Sequence, residues 1–373
     1  MGPVMKQLIV TGVRQAEFEE VEQPACGATD VLVRSRTTAI STGTELRVYR
    51  AIPVDDEGKY LHERVPFVLP AENGYSMVGD VIETGPEVDG ISAGDRVFVP
   101  AAHRQVAVMD VSRVTPLPES VPDDEAALLS ILEVAHRALR DGEPPAGGNV
   151  VIIGQGVIGL SALAYCVAFG LRTAVVDLEP ARLEIARQMG ADLAVSPADG
   201  DYQQQVLELF DGAGADVALE AGSNWTTIRT AMELTRTDGR VVIVSRHTLQ
   251  PDFNPFGQGF LGKRLSLVTT YGYPPEGSRW DQRASVGLTV DLLARGRLPV
   301  RPMLTHRFAW HELPEVYARL DQGDRTIVGA VLAWTHDEAC SPTFWRVIWL
   351  WFGPRQTDTM TVCRSWFLPN RFV

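Results

Sequence analysis

Along residues 1–120, apolar and polar residues alternate in short runs broken by turn-forming pairs. Lys6–Thr11, Asp30–Arg36, Val78–Glu83, Arg96–Val99 and Gln105–Val108 carry the β-rich patterning that predicts strands. Gly85-Pro86, Asp89-Gly90 and Gly94-Asp95 separate them, so the stretch predicts a partly closed β-domain of Greek-key type. The period changes over Asp123–Arg140. Acidic residues at its start, an Ala/Leu repeat and Gly142 beyond its end predict a helix. From Asn149 the apolar runs become continuous. Val150–Ile153, Ala174–Val176, Val217–Glu220, Arg240–Val244 and Leu265–Thr269 predict strands, with helical stretches such as Val157–Phe169 and Pro180–Met189 between them. Such alternation implies parallel strands joined by crossover helices, a sheet covered on both faces. Asp281–Arg295 and His311–Gln322 predict further helices, and Val328–Trp334 a last strand returning to the first domain. The tail from His336 to Val373 holds Trp345, Trp349, Trp351 and Trp366 but few helix or strand signals. It is expected to pack on the body or on a second subunit.

Composition narrows the function classes. At 373 residues, two domains are expected, and 45% hydrophobic with 22% charged residues is ordinary for a soluble globular chain. Asp and Glu number 47 against 34 Lys and Arg, a net charge of -13, which argues against nucleic acid as a partner. No apolar run reaches the roughly 18–20 residues of a membrane helix. Cys26, Cys166, Cys340 and Cys363 lie far apart without a CxxC pair, and Met1–Thr11 lacks a signal-peptide pattern. A cytoplasmic protein without a structural zinc site is the expectation.

The strongest constellation is Gly154-Gln155-Gly156-Val157-Ile158-Gly159, directly after the predicted strand Val150–Ile153 and opening a helix. Gly154 permits the tight turn, Gly156 lets backbone approach a pyrophosphate, and Gly159 lets helix and strand pack closely, with the anion on the helix N-terminus. Asp177 follows 23 residues after Gly154, at the end of the next apolar strand. A carboxylate there accepts hydrogen bonds from both ribose hydroxyls and repels a 2′-phosphate, which selects NAD (NADH) over NADP. Arg182 can flank the ribose or soften that discrimination; the bland alternative is a solvated helix residue. Ala221-Gly222 and Ser245 follow later strands, where open α/β sheets bind ligands, and join the cofactor candidates.

This order of pieces resembles the medium-chain dehydrogenase/reductase superfamily over about residues 5–334. Gly74 through Gly85, Gly94 through Phe98, the glycine loop and Ala186 through Asp192 carry the resemblance. It implies an α/β fold with a GroES-like β-rich N-terminal catalytic domain (residues 1–122 and 300–335) and a Rossmann doubly wound parallel-sheet domain (123–299). The tail (336–373) is left as an extension. It also implies a small-molecule substrate and a homodimer or homotetramer. The departures are informative. Zinc-dependent members carry a Cys where this chain has Ser41-Thr42-Gly43-Thr44-Glu45, and Gly-His-Glu where it has Gly74-Tyr75-Ser76. A third, acidic ligand falls on or near Leu129. Catalytic zinc needs three N, S or O⁻ donors, so no zinc is expected. Ser41 through Glu45 resembles the zinc-lacking branch that includes bacteriochlorophyllide hydroxyethyl dehydrogenases and related enzymes of secondary metabolism.

An NAD-dependent dehydrogenase of a secondary alcohol, or the reverse ketone reductase, is the function this implies. An enone reductase and a non-catalytic dinucleotide-binding protein are the alternatives. Without metal, hydrogen-bond donors must hold the substrate oxygen. Tyr75 takes the place of a metal-binding His and can donate to a carbonyl or, with a lowered pKa, accept a proton; otherwise it is a packed aromatic. Thr44 falls on the family's relay hydroxyl and Thr42 on the former cysteine, and turn formation is their alternative role. Glu45 can orient Tyr75 or act as base. Arg47 falls where some members place a relay His, with a surface charge as its alternative. His136 suits proton transfer, although a structural or ribose-binding role is expected of it; Glu133 can pair with it. Ser41, Asn254 and Tyr271 are the substrate-pocket candidates, and Tyr273 lies beside the last.

Overall fold

The computed structural model describes residues 3–52, 69–247, 250–272, 275 and 277–334. Tyr273 and the tail from His336 lie outside the described residues. The N-terminal half contributes β1 (Val4–Gly12), β2 (Gln15–Glu22), β3 (Asp30–Ile40), α1 (Thr42–Tyr49), β4 (Ala71–Glu72), β5 (Met77–Thr84), β6 (Arg96–Val99), β7 (Val106–Asp110) and β8 (Thr115–Pro116). Next come α2 (Asp123–Ala126), α3 (Leu129–Gly142), β9 (Asn149–Ile153), α4 (Val157–Ala168), β10 (Arg172–Val176), α5 (Pro180–Met189), β11 (Leu193–Val195), α6 (Tyr202–Leu209) and β12 (Ala215–Glu220). The chain continues with α7 (Trp225–Leu234), β13 (Thr235–Ile243), α8 (Gln258–Lys263), β14 (Ser266–Thr269), α9 (Gln282–Ala294), β15 (Leu304–Ala309), α10 (Leu313–Asp321) and β16 (Gly329–Ala333).

Among the described residues three sheets form: β2-β1-β4, a sheet ordered β15-β16-β3-β5-β6-β8 with β7 on β3, and a parallel sheet ordered β11-β10-β9-β12-β13-β14. The parallel strands are continuous apolar runs because helices cover both faces; Val150, Val151, Ile152 and Ile153 are all buried. This is the expected two-part α/β architecture, with a GroES-like first part and a Rossmann second. The strand expected over Val328–Trp334 pairs antiparallel with β3, joining Ala330 to Ile40 and Ala333 to Thr37.

Two local readings are corrected. The single helix expected over Asp123–Arg140 is two helices, because Leu128 N bonds Glu125 O (3.1 Å) and Ile131 N bonds Leu128 O (2.8 Å), three-residue steps that tighten the chain. Ser41 through Glu45 is not an open turn: Ser41 caps α1, and Glu45 N already bonds Ser41 O (2.9 Å). The largest apolar core runs through both parts. Ala39, Val78 and Phe98 share it with Leu132 of α3 and with Val150 and Ile152. Burying one such Leu or Ile contributes about 1.5–3 kcal/mol, so α3 ties the cleft walls together.

Candidate active site

The dinucleotide loop is built by steric need. Gly154 sits at φ +93, a conformation that favours glycine, and a Cβ there would lie 2.9 Å from the Ala221 carbonyl carbon. Ala221-Gly222 is thus pressed against the loop. A Cβ on Gly159 would meet Gly154 O at 1.8 Å, whereas one on Gly156 would enter open space. That open space lies at the N-terminus of α4, which has no side-chain cap on its free N–H groups, so the residues fit a bound pyrophosphate. Val157 and Ile158 open that helix. Asp177 is fixed at the end of β10: its Oδ2 accepts from Gln155 N (2.5 Å) and its Oδ1 from Glu179 N (2.8 Å). Arg182 lies beside it, Nη1 to Oδ2 3.8 Å.

Ser245 is committed elsewhere. It donates to Glu220 Oε2 (2.5 Å) and accepts from Ser223 N (3.0 Å). Glu220 is fully buried at the end of β12 and also receives Thr227 Oγ1 (2.6 Å) and His247 Nε2 (2.9 Å). Burial drives its carboxyl upward, but the hydrogen bonds from His247, Ser245 and Thr227 outweigh this and hold it low. The sequence reading missed this hub because its partners come from two separated segments, the start of α7 and the residues just beyond β13.

In the first part, Gly74 at φ +92 brings the chain past His103; a Cβ there would sit 2.5 Å from the imidazole. This turn presents Tyr75, whose carbonyl accepts from Ser130 Oγ of α3 (2.7 Å). The half-buried Tyr75 phenol donates to Ser41 Oγ, and the Thr44 hydroxyl lies close enough to favour its ionised form slightly. Burial raises the Tyr75 pKa, and the nearby Glu45 carboxylate raises it further despite the opposing hydrogen bonds. Tyr75 therefore stays protonated and donates, and the alternative of a lowered pKa is set aside. Thr44 is exposed and Thr42, half-buried, opens α1.

Glu45 faces inward. It is fully buried; its Oε1 accepts from Ser41 N (2.7 Å), and its Oε2 meets Tyr317 OH (2.6 Å) and His103 Nε2 (3.1 Å). It holds Ser41, and through Ser41 the Tyr75 phenol. His103 in turn contacts Thr38 Oγ1 (2.8 Å), which accepts from Trp334 Nε1 (3.0 Å). His136 does not join the site. It is buried against Tyr165 (5.2 Å), Phe169 (6.3 Å) and Trp280 (5.5 Å), beside the end of α4 opposite the glycine loop. Burial and the Arg140 charge pull it down to about 4, so it is neutral at pH 7. Glu133 pairs instead with Arg137 (3.9 Å), which donates to Gly272 O (2.7 Å). Asn254 is exposed, accepts from Phe256 N (3.0 Å) and lines a surface cavity with Arg229 and Lys263 between α7 and α8, away from Tyr75.

The second cleft wall is reached through Arg47 of α1, whose Nη2 donates to Arg246 O (3.0 Å) just beyond β13. Arg246 Nη2 donates to the Tyr271 hydroxyl (2.8 Å). Residues 27–113 match the alcohol dehydrogenase GroES-like domain family, and residues 157–284 the zinc-binding dehydrogenase family. The chain belongs to the medium-chain dehydrogenase/reductase superfamily. L-threonine 3-dehydrogenase of Pyrococcus abyssi is 28% identical over 327 residues, covering 79% of this chain and 88% of its own. Sorbitol dehydrogenase of Bacillus subtilis is 29% identical over 273 residues, 64% of this chain and 74% of its own. In fold, 2R,3R-butanediol dehydrogenase from Bacillus subtilis matches with a TM-score of 0.75 and 22% identity, over 88% of this chain and 99% of its own. Within this superfamily the donor positions stand out. Ser41 Oγ receives the phenol of Tyr75, which stands at the metal-binding His position, and Leu129 is apolar. Among the described residues no group of three or more His, Cys, Asp or Glu converges, and these positions do not fit zinc. No helix among them is long and apolar enough to cross a membrane.

Proposed function

We propose that this superfamily member is an NAD-dependent oxidoreductase that moves a hydride between nicotinamide and a secondary alcohol or ketone without zinc. The observation that carries the reading is the Tyr75 phenol donating to Ser41 Oγ, the two standing where zinc-dependent members place metal donors, with the relay-position hydroxyl of Thr44 beside them. NADH, when bound, supplies the hydride. Gly154, Gly156 and Gly159 leave room for its pyrophosphate at α4, and Asp177 accepts from the ribose hydroxyls. In the reducing direction Tyr75 gives its proton to the carbonyl oxygen as the hydride arrives and regains one from solvent past the exposed Thr44, while Ser41 keeps the phenol aimed and Glu45 fixes Ser41 from below. The Ser41–Glu45 sequence supports a place in the secondary-metabolism branch.

Fluorescence titration with the two reduced nicotinamide cofactors tests the cofactor half. NADH is expected to bind at least about tenfold more tightly than NADPH, and Asp177→Ala to narrow the ratio, since the carboxylate repels a 2′-phosphate. Equal or tighter NADPH binding by the unaltered chain overturns it.

A further inference from the structure

Two arginines from opposite walls of the cleft meet where α1 approaches the end of β13. Arg47 donates to the Arg246 carbonyl, and the Arg246 guanidinium carbon lies 4.9 Å from the Tyr271 ring centre while Nη2 bonds its hydroxyl. A guanidinium withdrawn from water is expected to end against a carboxylate. This chain, at -13, has carboxylates to spare. Among the described residues each half-buried or buried arginine does pair with one, as Arg50 does with Asp321, Arg96 with Asp123, Arg137 with Glu133 and Arg236 with Asp216. Arg47 and Arg246 are the exceptions. Burial and the neighbouring charges of Arg246 and Arg50 push the Arg47 guanidinium below its ordinary value, so its positive charge is left uncompensated. An anion placed between the two would relieve both costs.

Position indicates whose anion it is. In the parallel sheet β13 stands two places from β9, in the order β9-β12-β13, which puts Arg246 about 10 Å along the sheet from the glycine loop after β9. A pyrophosphate centred on that loop therefore sits about two strand spacings to one side of the arginine pair. Arg47 lies six residues after Ser41 and three after Thr44, about 9 Å and about 4.5 Å along α1 from these two hydroxyl residues. A substrate whose reacting oxygen meets Tyr75 therefore extends a second group toward the arginines.

We propose that Arg47 and Arg246 bind an anionic group of the substrate, a carboxylate or a phosphate, so that the enzyme acts on acidic alcohols or ketones. This rests on the hydride-transfer reading above. Calorimetry on the enzyme saturated with NADH, using two matched pairs of ketones, tests it: levulinate against its methyl ester, and dihydroxyacetone phosphate against dihydroxyacetone. At least one anion is expected to bind about tenfold or more tightly than its neutral counterpart, and the pair that does so names the group. Arg47→Gln or Arg246→Gln is expected to abolish that preference and leave NADH affinity within about twofold, while Arg246→Lys keeps part of it. NADH binding without any anion preference overturns this proposal alone. Variants that lose NADH affinity about tenfold with the preference intact also overturn it, and assign the arginines to the cofactor. Failure of the unaltered enzyme to bind NADH overturns the hydride-transfer reading and this proposal together.

Discussion

A phenol that donates to a serine hydroxyl near a buried carboxylate keeps its proton, and Tyr75 is such a phenol. Tyr75→Phe is expected to lower kcat by about 10²-fold, the usual size of a proton-transfer contribution, with NADH affinity unchanged; steady-state kinetics beside a binding titration checks both. His136 titrates with the opposite consequence. Its folded pKa of about 4 lies below the ordinary 6.5, so below pH 6.5 the unfolded chain takes up a proton that the native state refuses. Stability is therefore lost as pH falls from about 6.5 to about 4, by about 3 kcal/mol in all. Urea unfolding at pH 7 and pH 4.5 is expected to show a smaller loss for His136→Phe than for the unaltered chain. Tyr75 was legible because it replaces a family ligand in an otherwise matching motif. Glu45's role as a support was not, since its partners Tyr317 and His103 lie far along the chain and no local spacing reveals them.

At the level of elements, adding a side chain to the glycine loop has different effects a few residues apart. Gly156→Val adds carbon to open space, so the fold is expected to survive with its melting temperature nearly unchanged while NADH affinity falls about tenfold or more. Gly159→Ala puts a methyl 1.8 Å from Gly154 O and is expected to destabilise by about 1–3 kcal/mol, read by thermal unfolding. The parallel sheet was legible because its strands are short, continuously apolar and separated by helical repeats. β2 was not: Gln15–Glu22 is polar and nowhere fully buried, so its pairing with β1 decides its conformation rather than its own pattern. α1 hid behind Ser-Thr-Gly-Thr, poor helix formers held in place by packing of Leu46 and Tyr49 against α10.

For the whole molecule, the expected metal content follows from side chains supplied by both parts. Elemental analysis of the purified chain is expected to find well under one zinc per protomer, and dialysis against a chelator to leave turnover intact; stoichiometric zinc would contradict the donor chemistry of Ser41, Tyr75 and Leu129. The outline of two parts was readable from length and from the change of period at Asn149, but the arginine pair was not, because only folding brings Arg47 to Arg246. The return of β16 to β3 has a consequence in time. Ile40 leaves the ribosome long before its partner Ala330, which follows 290 positions later. At about 5–20 residues per second, the exposed edge of β3 waits roughly 15–60 s for its neighbour. The part synthesised first is thus the last to be completed, and during synthesis its open edge is where a chaperone, or a neighbouring nascent chain, has time to attach.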